Sequence, residues 1–205
     1  MHLDIQSAIL NVALIWLLTA PHEFSHAWAA TRLGDDTPAR QGRLTLNPLA
    51  HVDWLGTAIL PFVMSLAGYG VLGWGKPVYT QTAKLKGGLN GLALVSLAGP
   101  ASNVVMAVLL AVAAVSTNRA IPAFAHFAAQ GVFLSLYLAI LNMLPVPPLD
   151  GSKLLLAARI PMVVYSEISR FGFLLLIVVV SFTDIGRWMS EWSYQGARAI
   201  FGLLQ

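Results

Sequence analysis

Residues 5–33 read IQSAILNVALIWLLTAPHEFSHAWAATRL, a long apolar run with two histidines and a glutamate set into its second half. About 20 mostly apolar residues suffice to cross a bilayer as a helix, so this run predicts a membrane span. An ionisable side chain at such a depth is costly and demands a partner or a purpose. His22 and His26 are four residues apart and share one helix face, where two imidazoles can grip one metal ion. Glu23, beside the first histidine, can take a proton from a water that zinc has acidified. The bland alternative is a pair of packed histidines beside a surface glutamate. The lipid setting disfavours it, because there the glutamate would be left without a use. Pro21 breaks the hydrogen-bond ladder just before the motif and offers a route for water or a simple kink.

The rest of the chain agrees with a lipid environment. Of its 205 residues 57% are hydrophobic and 10% charged, against about 25% charged in a soluble domain. Mean hydropathy is +0.72. The length suits one domain, residues 1–205, folded as a bundle of helices. The absence of cysteine rules out disulfides and thiolate metal sites. A net charge of +3, thinly spread, argues against a nucleic-acid partner and suits membrane-topology signals instead. The N-terminus does not read as a cleaved signal peptide: only His2 and Asp4 precede the apolar run as titratable residues, and the run continues into the histidine motif.

Six apolar segments follow one another: Ile5 to Leu33, Leu55 to Leu72, Leu89 to Ser116, Phe124 to Leu144, Val164 to Phe182 and Trp188 to Leu204. The third and fourth are the clearest spans. The second is short and carries Pro61, and the sixth carries Glu191, Arg198 and two tryptophans, which suits a helix lying in the interface. Arg32, Arg40 and Arg43 follow the first segment, Lys76, Lys84 and Lys86 precede the third, and Lys153, Arg159 and Arg170 follow the fourth. The positive-inside rule places these regions in the cytoplasm and the Arg119 loop outside, provided the second segment re-enters rather than crosses.

Two histidines leave a catalytic zinc one protein ligand short. Carboxylates and histidines within or at the edge of apolar segments are few: His51, Asp53, His126, Asp150, Glu167, Asp184 and Glu191. Asp150 stands out, because prolines 145, 147 and 148 end the fourth segment and hold the chain extended before it. It sits just past the cytoplasmic end of one span, and His26 about 10 Å from the cytoplasmic end of another, so the depths match. An N-cap role for the helix starting near Ser152 is the competing reading. His51 and Asp53 have the wrong spacing for one helix face and read as a structural pair near the mouth of the site, with ligation as the lesser alternative.

Five motifs, taken together, resemble the site-2 protease family of intramembrane zinc metalloproteases. They are His22-Glu23-Phe24-Ser25-His26, the stretch Asn47-Pro48-Leu49-Ala50-His51-Val52-Asp53-Trp54-Leu55-Gly56, Gly73-Trp74-Gly75-Lys76-Pro77-Val78, Ala98-Gly99-Pro100-Ala101-Ser102-Asn103, and Asn142 to Gly151 with its Leu149-Asp150-Gly151 ending. All occur in family order between Pro21 and Gly151. The resemblance implies an all-α polytopic membrane protein of five to six hydrophobic segments, one of them re-entrant if it does not cross. It implies one catalytic Zn2+ bound by His22, His26 and Asp150, Glu23 as general base, and cleavage of peptide bonds in or near transmembrane segments of membrane-protein substrates. Asn142 would bind substrate backbone or steady the oxyanion, with a helix-to-helix hydrogen bond as its structural alternative. Asn103 would contact substrate or only serve helix packing. Gly73–Val78 would form a membrane-associated β-hairpin whose edge could pair with an unwound substrate. No PDZ or CBS module is expected. The expected location is the cell membrane of a prokaryote, with the site toward the cytoplasm and the bilayer itself as a partner. An inactive helix-binding adaptor and a metal transporter are the competing functional classes.

Overall fold

The computed structural model describes residues 4–67 and 73–204, which are helical with connecting loops. In chain order the helices are α1 (Ile5–Arg32), α2 (Thr37–Arg40), α3 (Leu60–Leu66), α4 (Leu89–Thr117), α5 (Pro122–Asn142), α6 (Ser152–Ala157), α7 (Met162–Arg170), α8 (Gly172–Phe182) and α9 (Ile185–Gly202). Asp4 starts α1 by accepting a hydrogen bond from the Ser7 N–H at 3.0 Å. The helix then runs through Pro21 without ending, since one missing donor costs less than abandoning a packed apolar span.

Helices α1, α4 and α5 are long and apolar enough to cross a membrane, and α7 with α8 adds a fourth span if that bent pair counts as one. The protein is therefore a multi-pass membrane protein. Its core lies where the three long helices meet. Leu14, Ile15 and Leu18 of α1 pack against Ala107, Leu110 and Ala111 of α4 and Ala128, Val132 and Leu138 of α5. Small residues let the backbones approach, which is how helices associate where lipid is as apolar as leucine. A second cluster joins Ala29 and Ala30 of α1 to Leu85, to Leu92 and Val95 of α4, and to Leu156 of α6. It gathers the ends carrying Arg32, Lys86 and Lys153 at one end of the bundle, and the turn with Arg119 closes the other. That distribution is the one the basic residues predict.

The second apolar segment folds back along α1. A wide helical turn over Trp54–Ile59 leads into α3. The pair runs antiparallel to α1: the Trp16 indole donates to the Thr57 carbonyl at 3.0 Å, and the Asn11 amide to the Ser65 hydroxyl at 2.8 Å. Residues 68–72 lie outside the described part, and with them the end of that predicted segment. Beyond them, Trp74 N–H donates to Gly56 O at 3.0 Å and Lys76 N–H to His51 O at 2.8 Å.

The expected β-hairpin at Gly73–Val78 is not borne out. Among the described residues there is no strand, and this stretch is a single extended strap laid along the 51–56 loop. Its two backbone bonds reach a 3-10 turn and a wide turn, whose curved backbones cannot continue a ladder. The apolar segment from Val164 to Phe182 is bent: α7 and α8 meet at 67°. Glu167 and Arg170 form a 3.5 Å exposed pair that gives α7 a polar side, while α8 is almost wholly apolar. At 11 residues α8 is about 16 Å long and cannot span alone. Helix α9 buries Met189, Ser193 and Ala197 against the bundle and exposes Trp188, Trp192 and Tyr194. It is not among the helices apolar enough to cross, in keeping with an interfacial position.

Outside the spans, Asp35 ties the strap to the end of α1. Its side chain accepts from Thr37 N–H at 3.0 Å and from Gln81 N–H at 2.6 Å. Burial pushes the Asp35 carboxyl up, but these bonds and the nearby Lys84 outweigh it, so its pKa lies below the ordinary aspartate value. A carboxylate with a depressed folded pKa stabilises the fold above its unfolded value of about 3.9 and loses that contribution as pH falls through the folded value. Asp35→Asn should therefore lower the melting temperature in detergent micelles at pH 7, and the gap from wild type should narrow as the pH drops below about 4.

Candidate metal centre

His22, Glu23 and His26 occupy the inward face of α1, and all three side chains are buried. The two imidazoles meet edge to face, with ring centroids 4.7 Å apart and Nε2 atoms 3.1 Å apart. Asp150 comes to them from the turn after α5. Its Oδ2 lies 3.1 Å from His22 Nε2 and 3.0 Å from His26 Nε2. Among the described residues this is the one set of three potential metal-ligating side chains gathered in this way.

Each member is held by its surroundings. His26 Nδ1–H donates to the Val95 carbonyl of α4 at 2.7 Å, which leaves the lone pair on Nε2 facing the other two groups. Asp150 is positioned by the turn that follows α5, where Gly151 N–H donates to Asn142 O at 2.6 Å. A Cβ at Gly151 would come within 2.3 Å of the Met143 carbonyl, so only glycine lets this turn close against the helix end. The outer oxygen of Asp150, Oδ1, accepts from Lys153 Nζ at 3.0 Å. The N-cap reading of Asp150 fails on geometry: Gly151 caps α6 with no side-chain bond, and both Asp150 oxygens are engaged elsewhere.

The cluster opens on a cavity of about 270 Å³ that Glu23, Asn103, Asn142, Lys153 and the strap residues Gly75 and Tyr79 help to line. The strap lies close over the catalytic-base candidate: a Cβ on Gly75 would stand 3.1 Å from Glu23 Oε1. Asn142 donates one amide N–H to Leu138 O of its own helix at 3.0 Å, in place of a bond to another helix. Asn103 is buried with its Oδ1 unpartnered among the described residues, while its backbone carbonyl accepts from Ser135 Oγ at 2.7 Å.

Similarity to known proteins agrees with this arrangement. The chain is 34% identical over 169 residues to the Bacillus subtilis protein named "Putative zinc metalloprotease YwhC", covering 77% of this chain and 74% of that protein. It is 36% identical over 189 residues to the Mycolicibacterium smegmatis protein named "Putative zinc metalloprotease Rip2", covering 87% of this chain and 70% of that protein. The chain belongs to the site-2 protease family of zinc metalloproteases. The Mycobacterium tuberculosis protein of the same Rip2 name is 37% identical over 142 residues, 66% of this chain and 52% of its own length. No family model and no solved structure matches the chain.

The residues present in this family member fit a metal ion. Three lone-pair atoms face one another at 3.0–3.1 Å, an arrangement that repels itself unless a cation or protons sit between them. Donor atoms around a tetrahedral zinc stand about 3.3 Å apart, close to what is seen. The other candidate ligands lie elsewhere. His51 Nε2–H donates to Thr45 O at 2.8 Å, and Asp53 caps the Trp54 turn by accepting from Gly56 N–H at 2.8 Å, so each does structural work in its own loop. His126 pairs with Gln130, Glu167 with Arg170, Asp184 with Arg187 and Glu191 with Gln195, all in exposed positions.

Sequence reasoning missed Gly99 and Lys153 as parts of this site. Lys153 could have been found as the cation three residues after Asp150, one turn along a helix. Gly99 carried no such signal, because what it makes room for comes from another helix. A Cβ there would stand 2.3 Å from His26 Nε2 and 2.6 Å from His22 Nε2. Gly99→Ala should push the imidazoles apart and strip the purified protein of metal, as read by elemental analysis. Gly202→Ala, where a Cβ meets nothing within 4 Å, should leave metal content unchanged.

Proposed function

We propose that this chain is an intramembrane zinc metalloendopeptidase that hydrolyses peptide bonds in or near transmembrane segments of membrane proteins. The observation that carries the reading is the meeting of His22, His26 and Asp150 around one point, with Glu23 in the same cavity, inside a membrane-spanning bundle. A zinc ion held by those three side chains would polarise the scissile carbonyl and acidify a water. Glu23 takes a proton from the attacking water and returns it to the leaving amine. Asn142 keeps one amide N–H and its carbonyl oxygen for the substrate backbone or the developing oxyanion, and Asn103 offers a second amide from α4. Apolar lining from Ile15, Leu18, Leu138 and Leu141 limits bulk water, so these few polar groups act at low dielectric.

The strap and the loop beneath it bear on substrate presentation. A helical peptide bond is shielded by its own turn, so a substrate must unwind before it can enter. Extended chain at residues 74–80 beside the cavity is a suitable neighbour for such a segment. The basic residues gathered near His26 and Asp150 favour a site facing the cytoplasmic side of a prokaryotic cell membrane.

The deciding experiment pairs metal content with cleavage. Glu23→Gln, purified in detergent with one equivalent of zinc, should cut a transmembrane reporter at least about 100-fold more slowly than wild type. Wild-type cleavage rates in that fully loaded variant would reject the assignment. Uptake of zinc into liposomes by the wild type, with no proteolysis, would instead favour a transporter.

A further inference from the structure

The cavity contains one cation that the proposed reaction does not use. Lys153 lies in the first turn of α6, and its ammonium lines the same space as Glu23 and Asn142. Its Nζ is 3.0 Å from Asp150 Oδ1, while Asp150 Oδ2 is 3.0–3.1 Å from the two imidazoles. The two oxygens of one carboxylate therefore have separate partners. About a third of the Lys153 side chain is exposed, against 9% for Asp150, so the lysine reaches in from the rim to a buried anion.

A carboxylate can engage a metal ion through one oxygen or through both, and rotation about its last bond interchanges them. An ammonium held on one oxygen opposes that rotation and engages that oxygen. It also offsets charge, since Asp150 and Glu23 place two carboxylates in one largely apolar cavity. The turn geometry adds direction. With Gly151 held against the end of α5, the Asp150 backbone cannot move to compensate for a misplaced side chain.

We propose that Lys153 is a positioning residue that holds Asp150 as a one-oxygen ligand and thereby pre-forms the metal centre. The proposal rests on the reading of His22, His26 and Asp150 as metal ligands. Lys153 does not touch the reacting atoms. It acts on the metal through Asp150, in the way that Val95 O acts through His26.

The test uses the full chain in detergent micelles, with zinc affinity measured by chelator competition and cobalt(II) coordination read by visible absorption. Lys153→Met should bind zinc about 10–100-fold more weakly than wild type and give an altered cobalt spectrum. Lys153→Arg, which keeps a donor to Oδ1, should recover most of both. Equal or tighter zinc binding by Lys153→Met overturns the proposal. So does a loss that Lys153→Arg fails to reverse, because the lost interaction would then be packing of the stem and not the cation. Melting temperatures check that each variant is folded, and Lys153→Gln replaces Lys153→Met if the latter is not. If the wild type binds neither metal, the metal-site reading itself fails, whereas a binding wild type with an indifferent Lys153→Met sinks only the role given to the lysine.

Discussion

A carboxylate and two imidazoles buried within 3.1 Å of one another inside a bundle of apolar helices must answer for their lost hydration. Much else in this protein follows from that requirement. The two histidines come from one turn of α1, but the carboxylate has to be delivered from a residue more than a hundred positions later. The end of α5 must therefore lie at the level of His22 and His26, and the chain must turn sharply there. Gly151 permits the turn, Lys153 engages the outer oxygen, and α4 supplies both the carbonyl that orients His26 and the side-chain-free gap at Gly99. A metal ion held by His22, His26 and Asp150 would complete the balance by providing the positive charge that the three lone pairs face.

Stiffness and adaptability are divided between different parts of the molecule. The α1–α4–α5 core is packed with leucine and alanine at close quarters, which holds the ligands in place. The strap over Glu23 and the bent α7–α8 pair are different in kind. The strap is anchored by isolated backbone bonds, by Asp35 at one end and by an edge-to-face contact of Trp74 with Phe173 of α8 at 5.6 Å. Such sparse contacts have low local stability compared with a helix core. The proposed cleavage of an unwound substrate would need that combination: rigid side chains on one side and an adaptable wall on the other.

Most of the site was legible in the sequence because its chemistry is local or strongly constrained. His22, Glu23 and His26 lie within one helical turn, and Asp150 was one of few carboxylates at the right depth. The three central spans were legible because about 20 apolar residues in a row allow little else. The errors fell where structure depends on distant partners. The hairpin that the family resemblance implied at Gly73–Val78 is absent, because its backbone groups face curved turns and form no ladder among the described residues. Within the apolar segment from Val164 to Phe182 the structure adds a 67° bend between α7 and α8 that composition did not show.

The sequence by itself determined the membrane setting, the three long spans, the pairing of His22 with His26 on one face and the placement of basic residues at one end of the bundle. These follow from helix periodicity and from the cost of charge in lipid, which act over a few residues at a time. Only the tertiary structure decided that Asp150 turns toward the histidines and does not cap α6. It also decided that Lys153 takes the second carboxylate oxygen and that Gly99 must lack a side chain. Those outcomes depend on how close separate helices come. Closeness of that kind is set by packing across the whole bundle and leaves no trace in the local pattern of residues.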